Sequence, residues 1–202
     1  MSFSLKTEIK NSILVGIIGA LMAGCMAKDA PQLSYYELGY DENKASQICD
    51  RRADLMINLA FIRAQDGYKS RDIITKDGIK VAKIENAKYI ASPKDMLKKA
   101  LLLYLNSNCH LKLSTNANLQ LGLNITEMSI QPRYAFIQIA LELSKDGKVI
   151  ANRIISTKES FDLDLSDEFD ISKSDESRVM SAMNLALEKT LGQIHQTVLE
   201  YR

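Results

Sequence analysis

The sequence predicts an α+β fold, with a mixed and mostly antiparallel sheet and two main helices packed on one face of it. Three observations lead to this class. Apolar residues alternate along several stretches, two other stretches carry apolar residues at helical spacing, and a turn signature at residues 145–148 joins two strands as a hairpin. At 202 residues the chain has the length of one ordinary domain with a buried core.

Residues 1–24 have the parts of a secretory signal: a weakly basic start, an apolar run at 13–23 and small residues before a cleavage point. The apolar run is too short for a bilayer-spanning helix, which needs about 20 residues. The stretch Met22-Ala23-Gly24-Cys25 follows the box of bacterial lipoproteins, except that Leu21 stands one place early. We therefore predict a lipoprotein signal peptide at 1–24 and lipidation of Cys25. The alternative is a plain signal peptide that a cysteine happens to follow.

Acylation of Cys25, by diacylglycerol and then by a chain such as palmitate, would anchor the protein stably. Two acyl chains bind a membrane stably, whereas a single chain binds it only marginally. Residues 25–32 then form a tether, and residues 33–202 form a single periplasmic α+β domain. Met26, rather than an aspartate, follows the cysteine, and this predicts the outer membrane as the location.

Cys49 and Cys109 are then an even pair in a compartment where disulfides persist. The two residues are 60 positions apart. Closing so long a loop would stabilise the fold by roughly 4 kcal/mol by the chain-entropy argument. The alternative is a pair of buried free thiols.

The first half of the domain is predicted to hold several strands. Residues 33–40, LSYYELGY, have the aromatic content and length of a strand. Alternation at 55–62 places Leu55, Ile57, Leu59 and Phe61 on one face of a buried strand. Two turn signals within 66–80 flank the stretch SRDIIT, and residues 80–91 form one strand or two short ones.

A helix is predicted to begin at Ser92-Pro93, because serine caps helices and proline fits the first helical position. Asp95 lies in the first turn, where the helix dipole favours a negative charge. Leu97, Leu101 and the Tyr104-Leu105 pair follow at helical spacing. The helix is predicted to end within 106–109.

The second half is predicted to be a meander of antiparallel strands followed by a long helix. Alternating leucines mark strands at 111–113 and 119–125, and a change of parity at Met128 indicates a bulge near Thr126-Glu127. Another apolar row covers 137–143, and the Lys-Asp-Gly-Lys hairpin turn leads back through the next strand. From about residue 174 a helix packs its apolar stripe on the core. The stripe consists of Val179, Met183, Leu187, Leu191, Ile194 and Val198.

Residues that could carry chemistry are few. His110 and His195 are predicted to be solvated, and neither has a companion ligand at the spacing of a zinc site. The acidic stretch 162–170 could bind Ca²⁺ but does not match the calcium-loop pattern, so a solvated loop is the favoured interpretation. Motifs of hydrolases, nucleotide-binding loops and zinc proteases are absent from the sequence, which predicts no enzyme activity and no cofactor.

The charge balance argues against nucleic acid as a partner. Removing residues 1–24 takes two of the 26 basic residues and one of the 25 acidic residues, so the mature chain carries 24 of each. A chain without net charge gives no electrostatic reason to bind nucleic acid.

Two stretches resemble the ABC-type transport auxiliary lipoprotein family. One is the lipoprotein box followed after a short tether by YYEL at 35–38. The other is AKYIASPKDMLKKALLLYL at 87–105, in which Tyr89 stands where the family often has tryptophan, a residue that this chain lacks. The resemblance covers most of residues 25–200 in the order of elements.

The resemblance implies an outer-membrane lipoprotein that works with an ABC ATPase, a permease and an MCE-domain protein to move phospholipid or related lipids across a Gram-negative envelope. It would dock the periplasmic MCE component, with Tyr35, Tyr36 and Tyr89 as candidate partner-binding residues, and its fold would be similar to the N-terminal α/β domain of the Tol-system propeller protein. Alternatives are a stand-alone outer-membrane assembly or lipid-binding lipoprotein, and a periplasmic enzyme.

Overall fold

The computed structural model describes residues 33–41, 43, 55–108, 110–161 and 176–202. Residues Leu33–Arg202 belong to one compact unit. The strands are β1 Ser34–Tyr36, β2 Leu55–Ala64, β3 Asp72–Asp77, β4 Lys80–Tyr89, β5 Leu111–Leu113, β6 Leu119–Gln131, β7 Tyr134–Lys145 and β8 Lys148–Ser160. The helices are α1 Pro93–Ser107 and α2 Glu176–Leu199, and a short 3-10 helix spans Asp66–Tyr68.

β6 lies at the centre of a mixed eight-stranded sheet. It pairs in parallel with β2 and β3 and antiparallel with β7, and β7 in turn pairs antiparallel with β8. On the other side the strand order runs from β3 through β4 to β1. The predicted late meander is therefore β6, β7 and β8, whereas β5 leaves it and pairs in parallel with β2.

Both helices cover the same face of the sheet. α1 packs on β2, β5 and β6, α2 packs on β7 and β8, and the two helices contact each other. Every residue of the predicted α2 stripe is buried, as are Leu97, Leu101 and Leu105 of α1. These side chains pack against the inward-facing side chains of β7, which are buried as predicted. The α+β class with two helices on one face is confirmed.

Most local predictions of the second half are confirmed. The register between β6 and β7 shifts between Ile125 and Glu127, where the parity change predicted a bulge. The hairpin turn between β7 and β8 has positive φ at Asp146 (51°) and Gly147 (75°), which is the backbone of the turns that Asp-Gly favours.

The predicted face of Phe61 is wrong, because β2 also contains a bulge. Its register with β6 shifts between Leu59 and Phe61, so that Leu59 pairs with Leu121 but Phe61 pairs with Gly122. One extra residue in a strand moves every later side chain to the other face. Phe61 consequently lies on the face opposite the helices, where the Arg63 guanidinium lies 4.4 Å from the centre of its ring.

Helix α1 begins at Pro93 as predicted, but Ser92 does not cap it with its side chain. The Ser92 hydroxyl instead donates to the Asp95 carboxylate, at 2.5 Å. The Ser92 carbonyl accepts from the backbone N–H groups of Asp95 and Met96, which closes the first turn.

Candidate partner-binding surface

The segment from β1 to Tyr40 crosses the two helices, and we call it the strap. Leu38 is completely buried, and its backbone N–H points at the Met96 sulfur of α1 at 3.4 Å. The Gly39 N–H donates to the side-chain oxygen of Asn184 in α2 at 2.9 Å. β1 is only three residues long because the chain leaves the sheet after Tyr36 to make these helix contacts. Much of the YYEL motif therefore serves packing.

Two further contacts hold the strap on α1. The Glu37 carboxylate pairs with the Lys99 ammonium at 2.7 Å, in an ion pair that is about half exposed at each end. The ring of Tyr40 packs edge-on against the ring of Tyr104, with centroids 5.2 Å apart. The exposed pair contributes little, so the aromatic contact is the stronger restraint of the two.

The Tyr35 side chain points away from the helices and is 54% exposed. Its register partner across the β1–β4 pair is Lys88, so the two side chains lie on the same face of the sheet. The Arg71 guanidinium lies 5.9 Å from the centre of the Tyr35 ring, a cation–π distance. Ile90, which follows β4, is 53% exposed. We call Tyr35, Arg71, Lys88 and Ile90 the Tyr35 surface.

Asp72 organises the cations beside this surface. Its carboxylate accepts from Lys83 and Ser70 and lies 3.6 Å from the Lys88 ammonium. The hydrogen bond from Lys83 is the main reason that the pKa of Asp72 is below its ordinary value. The group stays charged, which keeps Lys83 and Lys88 on the Tyr35 side of the sheet.

The structure separates the three tyrosines that the sequence suggested as partner-binding residues. Tyr35 is exposed, Tyr36 is partly buried against the core, and Tyr89 is 1% exposed. Burial raises the pKa of Tyr89, and within the described residues its hydroxyl has no hydrogen-bond partner. A side chain so deep in the core is not part of an exposed surface. Tyr89 is therefore not a candidate partner-binding residue.

Sequence reasoning missed Arg71 and Lys88. Both reach Tyr35 only because β1 pairs with β4 and because Arg71 lies just before β3, with its carbonyl accepting from the Tyr89 N–H at 2.7 Å. Strand pairing over 50 residues of sequence leaves no local pattern that would indicate this neighbourhood.

The prediction of a solvated His195 is wrong, whereas His110 is exposed as predicted. His195 is 4% exposed, its Nε2 has no partner among the described residues, and its ring packs edge-on against Tyr104 and face-on against His110. Burial, and then the nearby His110, lower the pKa of His195. The cause of the error is that the histidine lies on the buried side of α2, beside Ile194 and Leu191.

A shallow cleft of about 500 Å³ lies where the strap meets the helices. Its lining includes Glu37, Asp41, Lys99, Asn184 and Glu188. Three of these groups already hold the strap in place, because Glu37 and Lys99 form an ion pair and the Asn184 side chain accepts a hydrogen bond from the Gly39 N–H.

Within the described ranges no three His, Cys, Asp or Glu side chains come close enough to hold a metal ion. Neither helix in that part of the chain is long and apolar enough to cross a bilayer. Cys25, Cys49, Cys109 and the acidic stretch 162–170 lie outside the described residues.

No protein-family model and no curated protein matches the sequence. The fold is similar to that of solved structures. One is an uncharacterised protein, 11% identical, with a TM-score of 0.61 over 83% of this chain and 99% of its own. Another is the protein XCC0632 from Xanthomonas campestris, of the DUF330 family, 13% identical, with a TM-score of 0.59 over 82% of this chain and 95% of its own. At these identities the likeness concerns the fold.

Proposed function

We propose that this protein is a membrane-anchored lipoprotein that docks a periplasmic protein through the Tyr35 surface, as the accessory subunit of an ABC/MCE-type lipid transport system. The observation that carries the proposal is the exposed Tyr35 with Arg71 over its ring, ten residues after Cys25. Tyrosine and arginine are among the residue types most enriched at the centres of protein interfaces.

Further points support a docking role. The sequence lacks the common catalytic motifs, and three of the polar groups in the cleft, Glu37, Lys99 and Asn184, already hold the strap in place. The lipoprotein box and the YYEL segment resemble the auxiliary lipoprotein family, and the fold is similar to that of a DUF330 protein. The function then lies in binding, with an anchor at Cys25 and a partner at Tyr35.

The anchor is tested first. Wild type and Cys25→Ser are expressed in a Gram-negative host, and intact mass and membrane partition are measured. The proposal predicts a mature wild-type chain that begins at Cys25, carries acyl groups and sediments with outer membranes, whereas the Cys25→Ser chain is released. A soluble wild-type chain without acyl groups would overturn the anchor.

The partner is tested by site-specific photo-crosslinking from position 35 in cells. A crosslink to an MCE-domain protein, lost with Arg71→Ala, supports the transport role. The matched control carries the photo-reactive residue at Ile154, which is 63% exposed on β8, at the other end of the strand order from β1. A crosslink from both positions would indicate unspecific contact and contradict the Tyr35 surface.

The second candidate function is a stand-alone outer-membrane assembly or lipid-binding lipoprotein. It shares the anchor, so the identity of the crosslinked partner decides between the two. Genes for an ATPase, a permease and an MCE protein beside this one would favour the transport system, and their absence would favour the alternative.

A further inference from the structure

The hairpin between β3 and β4 exposes apolar side chains at its tip. Asp77 pairs with Lys80, which leaves Gly78 and Ile79 as a two-residue turn, and Gly78 has the positive φ of 56° that such a turn requires. Ile79 is completely exposed, at 101%, and Val81 is 62% exposed. Turn positions usually carry small or polar residues, so an isoleucine at the tip is unexpected on structural grounds.

Basic side chains lie near this tip. Lys80 is exposed next to Ile79, whereas Lys83, two residues after Val81, is paired with Asp72. β3 runs parallel to β6, with Thr75 opposite Ile130, so the turn after β6 lies at the same end of the sheet as the tip. That turn contributes Arg133, which is also exposed. An apolar point beside exposed cationic side chains is the pattern of a membrane-contacting element.

The start of β1 faces the same end of the sheet. β1 is parallel to β4, with Ser34 opposite Ala87, so the N-terminal end of β1 faces the end of the sheet that holds the β3–β4 tip. Leu33 is thus level with Asn86. Asn86 is seven residues from Ile79 along β4, and a strand of that length spans at most about 24 Å. Cys25 lies eight residues before Leu33, which gives an extended reach of about 27 Å. The anchor can therefore reach the level of the tip.

We propose that the β3–β4 tip is a second membrane contact, in which Ile79 enters the interface of the bilayer that holds Cys25 while Lys80 and Arg133 face lipid phosphates. The inference rests on the proposed lipid anchor. A bilayer fits better than a protein groove, because the reach of the tether matches the distance to the tip.

We expect this contact to depend on apolar burial more than on charge. Asp77 is exposed on the other side of the turn from Lys80 and offsets its positive charge. We therefore expect insertion into zwitterionic vesicles, with at most a modest gain when anionic lipid is added. Binding that requires anionic lipid and is unaffected by Ile79→Ser would overturn the apolar contact.

The chain contains no tryptophan, so a single introduced tryptophan reports its own environment. The acylated Ile79→Trp protein is reconstituted into phosphatidylcholine vesicles, with and without brominated acyl chains. The matched control is Val149→Trp, which is 53% exposed beside the hairpin turn of β7 and β8, at the opposite end of the sheet. We expect blue-shifted and bromine-quenched emission for Ile79→Trp and neither effect for Val149→Trp.

A second set of samples distinguishes a tip that does not contact the bilayer from a Cys25 that is not acylated. A second version of each variant replaces Cys25 by a hexahistidine tag on nickel-chelating lipids, which holds the protein at the vesicle without acylation. Quenching of Ile79→Trp in this version supports the tip even if the cell does not acylate Cys25. Vesicle-bound protein in which Ile79→Trp is unshifted and unquenched overturns the tip contact and leaves the anchor intact.

Discussion

The ring of Phe61 covers Gly122 on the face of the sheet opposite the helices. A Cβ at Gly122 would lie 2.3 Å from Cζ of Phe61 and 2.6 Å from Cε1, closer than real carbon contacts allow. The aromatic ring in this position leaves no room for a side chain at Gly122, and the ring is there because of the bulge before Phe61.

We expect Gly122→Ala to destabilise the fold by about 1–3 kcal/mol, because the Phe61 ring must move away from the added methyl group. Without that clash, alanine in a strand would be better than glycine by about 0.5–1 kcal/mol. Urea unfolding of Gly122→Ala in the wild-type and Phe61→Leu backgrounds measures the difference. Equal losses in both backgrounds would show that the ring is not the cause.

Tyr35 and Leu38, three residues apart in the same motif, should respond oppositely to truncation. Leu38→Ala leaves a cavity under the strap, and we expect a loss of about 2–5 kcal/mol of unfolding free energy. Tyr35→Ala should change stability by less than about 0.5 kcal/mol, since the side chain is exposed. Denaturant titrations of the two variants measure both unfolding free energies. A Tyr35→Ala variant that unfolds as readily as Leu38→Ala would mean that Tyr35 serves packing.

Tyr89→Phe should raise stability by up to about 1 kcal/mol, because it removes a buried hydroxyl that lacks a partner among the described residues. Partner binding should be unchanged, since Tyr89 does not reach the surface. Thermal unfolding and the crosslinking yield from position 35 check both statements. A clear loss of stability would show that the hydroxyl does have a partner, such as a buried water.

Stability should depend on pH through His195. Its folded-state pKa is below the ordinary 6.5, so the unfolded chain takes up a proton at a pH where the folded protein does not. The stabilisation is therefore complete above about pH 6.5 and is lost as the pH falls from there toward the folded-state value. Unfolding free energies between pH 5 and 8 for wild type and His195→Gln measure this slope.

His110→Gln is the matched control for that experiment. Because His110 contributes to the lowered pKa, its removal should weaken the dependence on pH, while His195→Gln should remove the contribution of His195 altogether. An unchanged slope in His195→Gln would contradict the assignment.

The similar solved structures support the arrangement of strands and helices, and the proposed docking role depends on the Tyr35 surface and on the anchor. The experiments at Cys25 and at position 35 therefore carry the functional conclusion, and the fold does not replace them.

Strands β6 to β8, the bulge after Ile125 and both helices could be predicted from the sequence alone, because alternation, helical spacing and turn chemistry are local properties of the chain. The three-dimensional structure was needed to show which tyrosine is exposed and that Arg71 lies over Tyr35. It was also needed to show that His195 is buried, that Phe61 faces away from the helices and that the segment after Tyr36 leaves the sheet as a strap. Each of these depends on pairing between segments far apart in sequence, or on a bulge that one strand's alternation does not reveal.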